Sequence, residues 1–217
     1  MMALQTLTRP NMATTIIALL ATITLVSGLL VLAVLHPPRI IPGSADAVFV
    51  FAGDHDDHRL AAAVDLIAND LSDQQPPPTL VVSHGSRRGR TRQQLDHSCA
   101  AIGETVRAEL DELDELDELR VTCIVPDPIN TSGEAAAFAQ LARDSGWTKV
   151  VGVSSSYHAA RVRLWLSFCT RNVDVRVVGA TTVVNRQRIT HEIGGLLYAY
   201  ARPSCPPPTD TDSRGPA

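Results

Sequence analysis

Val150-Val-Gly-Val-Ser-Ser-Ser-Tyr-His-Ala-Ala-Arg161 decides the fold of this chain. A run of apolar residues stops abruptly, a small polar loop follows, and a helix opens bearing Tyr157, His158 and Arg161. In a parallel α/β domain such a junction is the C-terminal end of a strand, where these folds place their ligands. Three more junctions of the same kind recur, and each bears polar or charged residues.

Working outward, strand and helix alternate along the chain. Short apolar runs predict strands over 47–51, 79–83, 121–125, 150–153 and 175–178. Helical spacing of apolar residues predicts helices over 59–71, 91–119, 131–144, 157–169 and 188–200. Strands that are apolar on both faces belong to a parallel sheet covered on both sides. The expected architecture is therefore a three-layer α/β domain with a mostly parallel sheet of about five strands.

This domain, residues 45–202, is preceded by a short segment (1–11), an apolar stretch (12–35) and a linker (36–44). The apolar stretch contains no charged residue, and roughly 20 such residues cross a bilayer as a helix. No small-residue cleavage site follows it, so a retained single-pass transmembrane anchor is expected rather than a signal peptide. The linker reaches about 30 Å at full stretch, which keeps the domain near the membrane. Residues 203–217 are rich in Pro, Asp and Thr and read as a disordered tail.

Four cysteines without metal-ligand spacing suit pairing in an oxidising compartment, and four allow three pairings. The pairing expected is Cys99 with Cys123 and Cys169 with Cys205; four unpaired thiols are the alternative. Net charge is −4 and Lys149 is the one lysine. With no basic stripe and few aromatics, nucleic acid is not an expected partner. The leucine-spaced acidic repeat over 111–119 reads as a solvated helix, or as a surface for a protein partner.

Four loops bear the polar chemistry. Gly53-Asp-His-Asp-Asp-His-Arg59 is dense enough in carboxylates and imidazoles to bind a divalent metal, but no partner pattern recurs elsewhere and no metal is expected. Arg59, with Gly53 and Asp54 before it, is the better candidate as an anion contact. Ser83-His84-Gly85 opens a basic loop that has the donors of an anion cradle but lacks the Lys-Ser/Thr pair of a P-loop. Asn130 and Thr131 lead into a helix, and Thr131 with Glu134 has the spacing of a capping box. The free amides of that helix start also attract anions. In the fourth loop, Ser154, Ser155 and Tyr157 hang over the strand end. His158 and Arg161, three apart, share a helix face, the first as an acid/base group and the second as a fork for phosphate or carboxylate.

Gly53 after a hydrophobic strand, Val82-Ser-His-Gly85, Asn130-Thr-Ser-Gly-Glu-Ala135 and Ser154-Ser-Ser-Tyr-His-Ala-Ala-Arg161 follow in an order that resembles the ElyC/SanA/YdcF family. The likeness runs from about Asp46 to Glu192. It departs in Ala52-Gly53-Asp54, where the family has a glycine pair, and in His84, where it has a glycine. The resemblance implies a Rossmann-like fold, often tethered to the inner membrane, and a role in cell-envelope or peptidoglycan biogenesis.

Together these readings predict an envelope factor whose extracytoplasmic domain binds a phosphorylated lipid-linked or sugar ligand, with His158 and Glu134 as an acid/base pair for transfer or hydrolysis. Arg59 and Arg161 would hold the anion. Two other classes stay open: a nucleotide or S-adenosylmethionine binder, and a non-catalytic scaffold for envelope-synthesis proteins. The sequence names no cofactor.

Overall fold

A computed structural model describes residues 11–35, 43–53, 56–85, 101, 104, 119–182 and 185–206. Helix α1 (Met12–Leu35) precedes an alternating series: β1 (Ala47–Val50), α2 (Asp56–Asp70), β2 (Thr79–Ser83), β3 (Val121–Ile124), α3 (Thr131–Ser145), β4 (Lys149–Ser155), α4 (Ala159–Cys169), β5 (Asp174–Ala180) and α5 (Arg186–Ala201). The five strands form one sheet in the order β3-β2-β1-β4-β5, and every pairing is parallel. This is a Rossmann-like α/β fold. The strand order reverses between β1 and β4, which pair from Ala47↔Val150 to Val50↔Val153. A crevice opens above such a reversal, at the C-terminal strand ends.

Side chains alternate across the sheet, so each strand feeds two cores. Val48, Val50 and Leu80 pack on Leu66 and Ile67 of α2. On the other face Phe49, Phe51 and Val81 meet Phe138 of α3 and Val162, Trp165 and Leu166 of α4. Phe49 stacks on Phe138 with ring centroids 4.4 Å apart and meets Phe51 edge-on at 4.5 Å. Ala47, Val48 and Phe49 are wholly buried. Burial on both faces is why these strands are continuous apolar runs rather than alternating ones.

The chain enters this layer at the N-terminal edge of the sheet. Ser44 Oγ accepts from Lys149 Nζ at 2.9 Å, and Asp46 Oδ2 accepts from the amides of Thr148 and Lys149 at 2.6 and 2.8 Å. Helix α1 is long and apolar enough to cross a membrane, and its most apolar stretch, Met12–Leu29, is not buried against the domain.

Several expected boundaries move. Helix α2 starts at Asp56, three residues before Arg59, and α4 at Ala159, two after Tyr157. Strand β4 extends through Ser155, so Ser154 and Ser155 are strand residues rather than loop residues. Of the helix expected over 91–119, only Ala101, Glu104 and Leu119 are described, and the acidic repeat up to 118 lies outside the described residues. Cys169 is bonded to Cys205, so the expected tail is held as far as that residue; 207–217 lie outside the description. Cys123 is also disulfide-bonded, and Cys99 is not among the described residues.

The bridge from Cys169 to Cys205 spans a sequence separation of 36. Closing a loop of that length stabilises a fold by about 4 kcal/mol through the unfolded chain's entropy. Cys169→Ser should lower the urea midpoint accordingly, and reductant should lower the wild-type protein further, because it also opens the bridge of Cys123.

Candidate active site

Above the β1/β4 reversal lies a crevice of about 300 Å³. Its first wall is the loop after β1. Arg59 comes from α2, folds back under that loop and is 4% exposed. Its Nε donates to Ser155 Oγ at 3.1 Å, and its Nη1 donates to the carbonyls of Phe51 and Ala52. Among the described residues Nη2 has no hydrogen-bond partner. The guanidinium lies flat on Gly53, where a Cβ would come within 2.5 Å of Nη1 and Nη2. Gly53 is thus the seat of an arginine.

The second wall is the start of α3. Asn130, with extended backbone, is the N-cap, and its Oδ1 accepts from Gly133 N at 2.9 Å and from the Ser132 hydroxyl at 2.8 Å. This corrects the capping box expected between Thr131 and Glu134. The cap sits one residue earlier, and Glu134 leaves the helix end altogether. Its Oε1 accepts from Ala52 N at 2.7 Å, tying α3 to the loop after β1.

The third wall is the turn after β4. His158 N bonds Ser155 O at 2.9 Å. The imidazole sits at the N-cap position of α4 without capping it, because the ring turns inward. His158 Nδ1 lies 2.8 Å from Glu192 Oε2, and Arg161 grips the same carboxylate with two bonds, Nε to Oε2 and Nη2 to Oε1, both 2.9 Å. On its far side His158 Nε2 faces Thr131 Oγ1 at 3.4 Å. Tyr157 lines the mouth of the crevice, with Arg188 over its ring at 5.5 Å.

Burial pushes His158 down to about 4; the bond to Glu192 opposes this, and the charges of Arg161 and Arg59 reinforce it. Burial raises Glu192, but the bond from His158 and the charge of Arg161 outweigh it and bring it to about 2. The direction for His158 follows from the charge count: Arg161 already neutralises Glu192, so a proton on the ring would leave an excess buried cation. The imidazole is therefore neutral at pH 7. Arg161 Nη2, a donor, also lies 3.1 Å from Nδ1, but the ionised Glu192 oxygen, which can only accept, is nearer at 2.8 Å. The ring proton therefore sits on Nδ1, and Nε2 presents a lone pair toward Thr131.

Of the expected site residues, Gly53, Arg59, Gly85, Asn130, Thr131, Glu134, Tyr157, His158 and Arg161 line the crevice. Ser155 stands behind Arg59 as its partner. Ser83, His84 and Ser154 are not among the lining residues; Ser83 and Ser154 are 3% and 0% exposed, facing the protein interior rather than a ligand. Asp54 lies outside the described residues. Glu192 and its exposed neighbour His191 are additions. The signal for Glu192 was its place in α5: with Leu196 and Ala199 it forms the buried stripe of that helix, and a carboxylate on such a stripe needs a partner.

No known protein family matches the chain, and neither does any curated protein. Among solved structures it is similar to a protein of the universal stress protein family from Burkholderia pseudomallei, at 13% identity and a TM-score of 0.39, over 66% of this chain and 100% of that one.

Two contrasts test this geometry. Gly194 and Gly195 both lie in α5, but a Cβ on Gly194 meets nothing, whereas one on Gly195 comes within 2.8 Å of Arg161 Cδ and Nη1. Gly194→Ala should raise stability by up to about 1 kcal/mol, and Gly195→Ala should lower it, both read from urea midpoints. The second contrast is in pH. An unfolded histidine takes its proton near 6.5 and the folded one near 4, so the unfolded state binds more protons between them. The melting temperature should fall as pH drops from about 6.5 to 4. His158→Asn, which keeps a donor toward Glu192, should flatten that window. Glu192 adds a further loss between 4.5 and about 2.

Proposed function

We propose that this chain is a membrane-tethered cell-envelope factor whose α/β domain binds a phosphorylated lipid-linked or sugar ligand. It acts on that ligand by transfer or hydrolysis, with His158 as general base. One observation carries this reading: a buried, neutral imidazole on the crevice wall, fixed through Nδ1 by Glu192, with Nε2 facing the Thr131 hydroxyl. An oriented base of that kind is the working part of a group-transfer site. Glu192 takes the role expected of Glu134, whose carboxylate is engaged by the Ala52 amide.

Arg59 and the start of α3 support the anion. Arg161 is a positioning residue here, since Glu192 occupies the Nε–Nη2 edge of its fork. Two carboxyl side chains, Glu134 and Glu192, line the crevice with Arg59 and Arg161. Such a site suits a singly charged phosphodiester better than a phosphate dianion, which would face two carboxylates. A volume of about 300 Å³ holds a headgroup or a sugar phosphate and leaves a lipid tail outside. The ligand's own charge would raise the pKa of His158 toward neutrality, so that binding activates the base. Helix α1 supplies the tether, and the bonded cysteines support an oxidising, extracytoplasmic setting.

The test is a thermal-shift panel on the full chain in detergent micelles, with a polyprenyl phosphate analogue, a glycosyl phosphodiester, a sugar monophosphate and a nucleotide. A probe at 100 times its dissociation constant adds about 2.7 kcal/mol. A shift with a phosphodiester that disappears in Arg59→Lys is the expected outcome. No shift with any phosphorylated probe, or one that survives Arg59→Lys, would sink the reading.

A further inference from the structure

The start of α3 contains two hydroxyls, and they are used differently. Ser132 Oγ bonds the capping Asn130 Oδ1 at 2.8 Å, so it belongs to the helix end. Thr131 Oγ1 takes no part in the cap. Its partner is His158 Nε2, at 3.4 Å. The tautomer set by Glu192 makes Nε2 an acceptor, so the threonine O–H points its proton at the base. The same residue is the first of α3, where the helix dipole favours negative charge on its oxygen. Asn130 engages the amides of Gly133 and Glu134, which leaves those of Thr131 and Ser132 outside the cap, and Arg59 lines the same crevice. Among the described serines, Ser155 Oγ accepts from Arg59, and Ser83 and Ser154 are buried behind the wall.

We propose that Thr131 is the nucleophile of a Thr131–His158–Glu192 relay, and that the group it accepts is the phosphoryl centre of a phosphodiester. The inference rests on the reading of His158 as a general base. Thr131 Oγ1 forms a bond to phosphorus while its proton passes to His158 Nε2. The bond from phosphorus to the leaving alcohol breaks, and that alcohol takes the proton from Nε2. Water, or an acceptor hydroxyl, then attacks phosphorus and gives its proton to Nε2. The bond to Thr131 breaks, and Nε2 returns the proton to Oγ1. Arg59 Nη2 and the first amides of α3 face the charged phosphoryl oxygens throughout. The 3.4 Å separation is long for the proton transfer, as such contacts commonly are before a ligand draws them together.

The experiment treats the full chain, in detergent micelles, with a fluorophosphonate, whose phosphorus is trapped by an activated hydroxyl with loss of fluoride. Peptide mass mapping should find the adduct on residue 131 in the wild type and in Thr131→Ser. Thr131→Val, which keeps the shape and should keep the melting temperature, should not be labelled. His158→Asn should label about a hundredfold more slowly or less. Turnover of bis(4-nitrophenyl) phosphate by the same proteins separates this proposal from the reading beneath it. Turnover that survives Thr131→Val but is lost in His158→Asn would mean that the histidine activates water directly, which overturns the nucleophile and leaves the base. Label on another residue overturns the nucleophile as well. No label and no turnover in the wild type overturns both.

Discussion

A carboxylate held away from water governs the geometry of this domain. Glu192 is 4% exposed, and an ionised group in that position persists only where cations and donors surround it. Arg161 from α4 supplies two bonds and His158 from the preceding turn supplies a third. The three groups therefore cannot be placed one at a time. The ion pair clamps α4 to α5, the clamp fixes the imidazole, and the imidazole's tautomer follows from the charge it faces. Removing one partner would leave a buried charge uncompensated, at a cost of about 3–5 kcal/mol.

Arg59 plays the complementary part at the strand reversal. Its bonds to Phe51 O, Ala52 O and Ser155 Oγ join the end of β1 to the end of β4, where the two neighbouring strands feed helices on opposite faces of the sheet. Both arginines are seated on glycines, Gly53 for Arg59 and Gly195 for Arg161. Backbone and cation approach more closely than a side chain would allow. Gly53, expected beside an anion contact, thus serves the protein's own guanidinium group.

The architecture was legible because the three central strands, β1, β2 and β4, are buried on both faces and appear as apolar runs between helices. The crevice was legible for the related reason that polar residues interrupt those runs at the strand ends. What could not be read was which polar residues face each other. Thr131 and Glu134 have the spacing of a capping box, but Asn130 is the stronger cap and takes the helix end. That frees Glu134 for an amide on the neighbouring loop. Ser154 sits one residue from Ser155, yet the two point to opposite faces of β4, and only Ser155 reaches Arg59. Glu192 lies in a helix rather than at a strand end, and its role comes from contacts 31 and 34 residues away in sequence.

The entry of the chain at Ser44 and Asp46, beside Lys149, has a directional consequence. The N-terminal segment joins the pole where β4 begins, and the crevice lies at the pole where β4 ends, six residues further on. At about 3.3 Å per residue, the strand alone separates the two by about 20 Å. The chain therefore enters the domain from the pole opposite the crevice, and the N-terminal helix is joined to the sheet at the end away from the site.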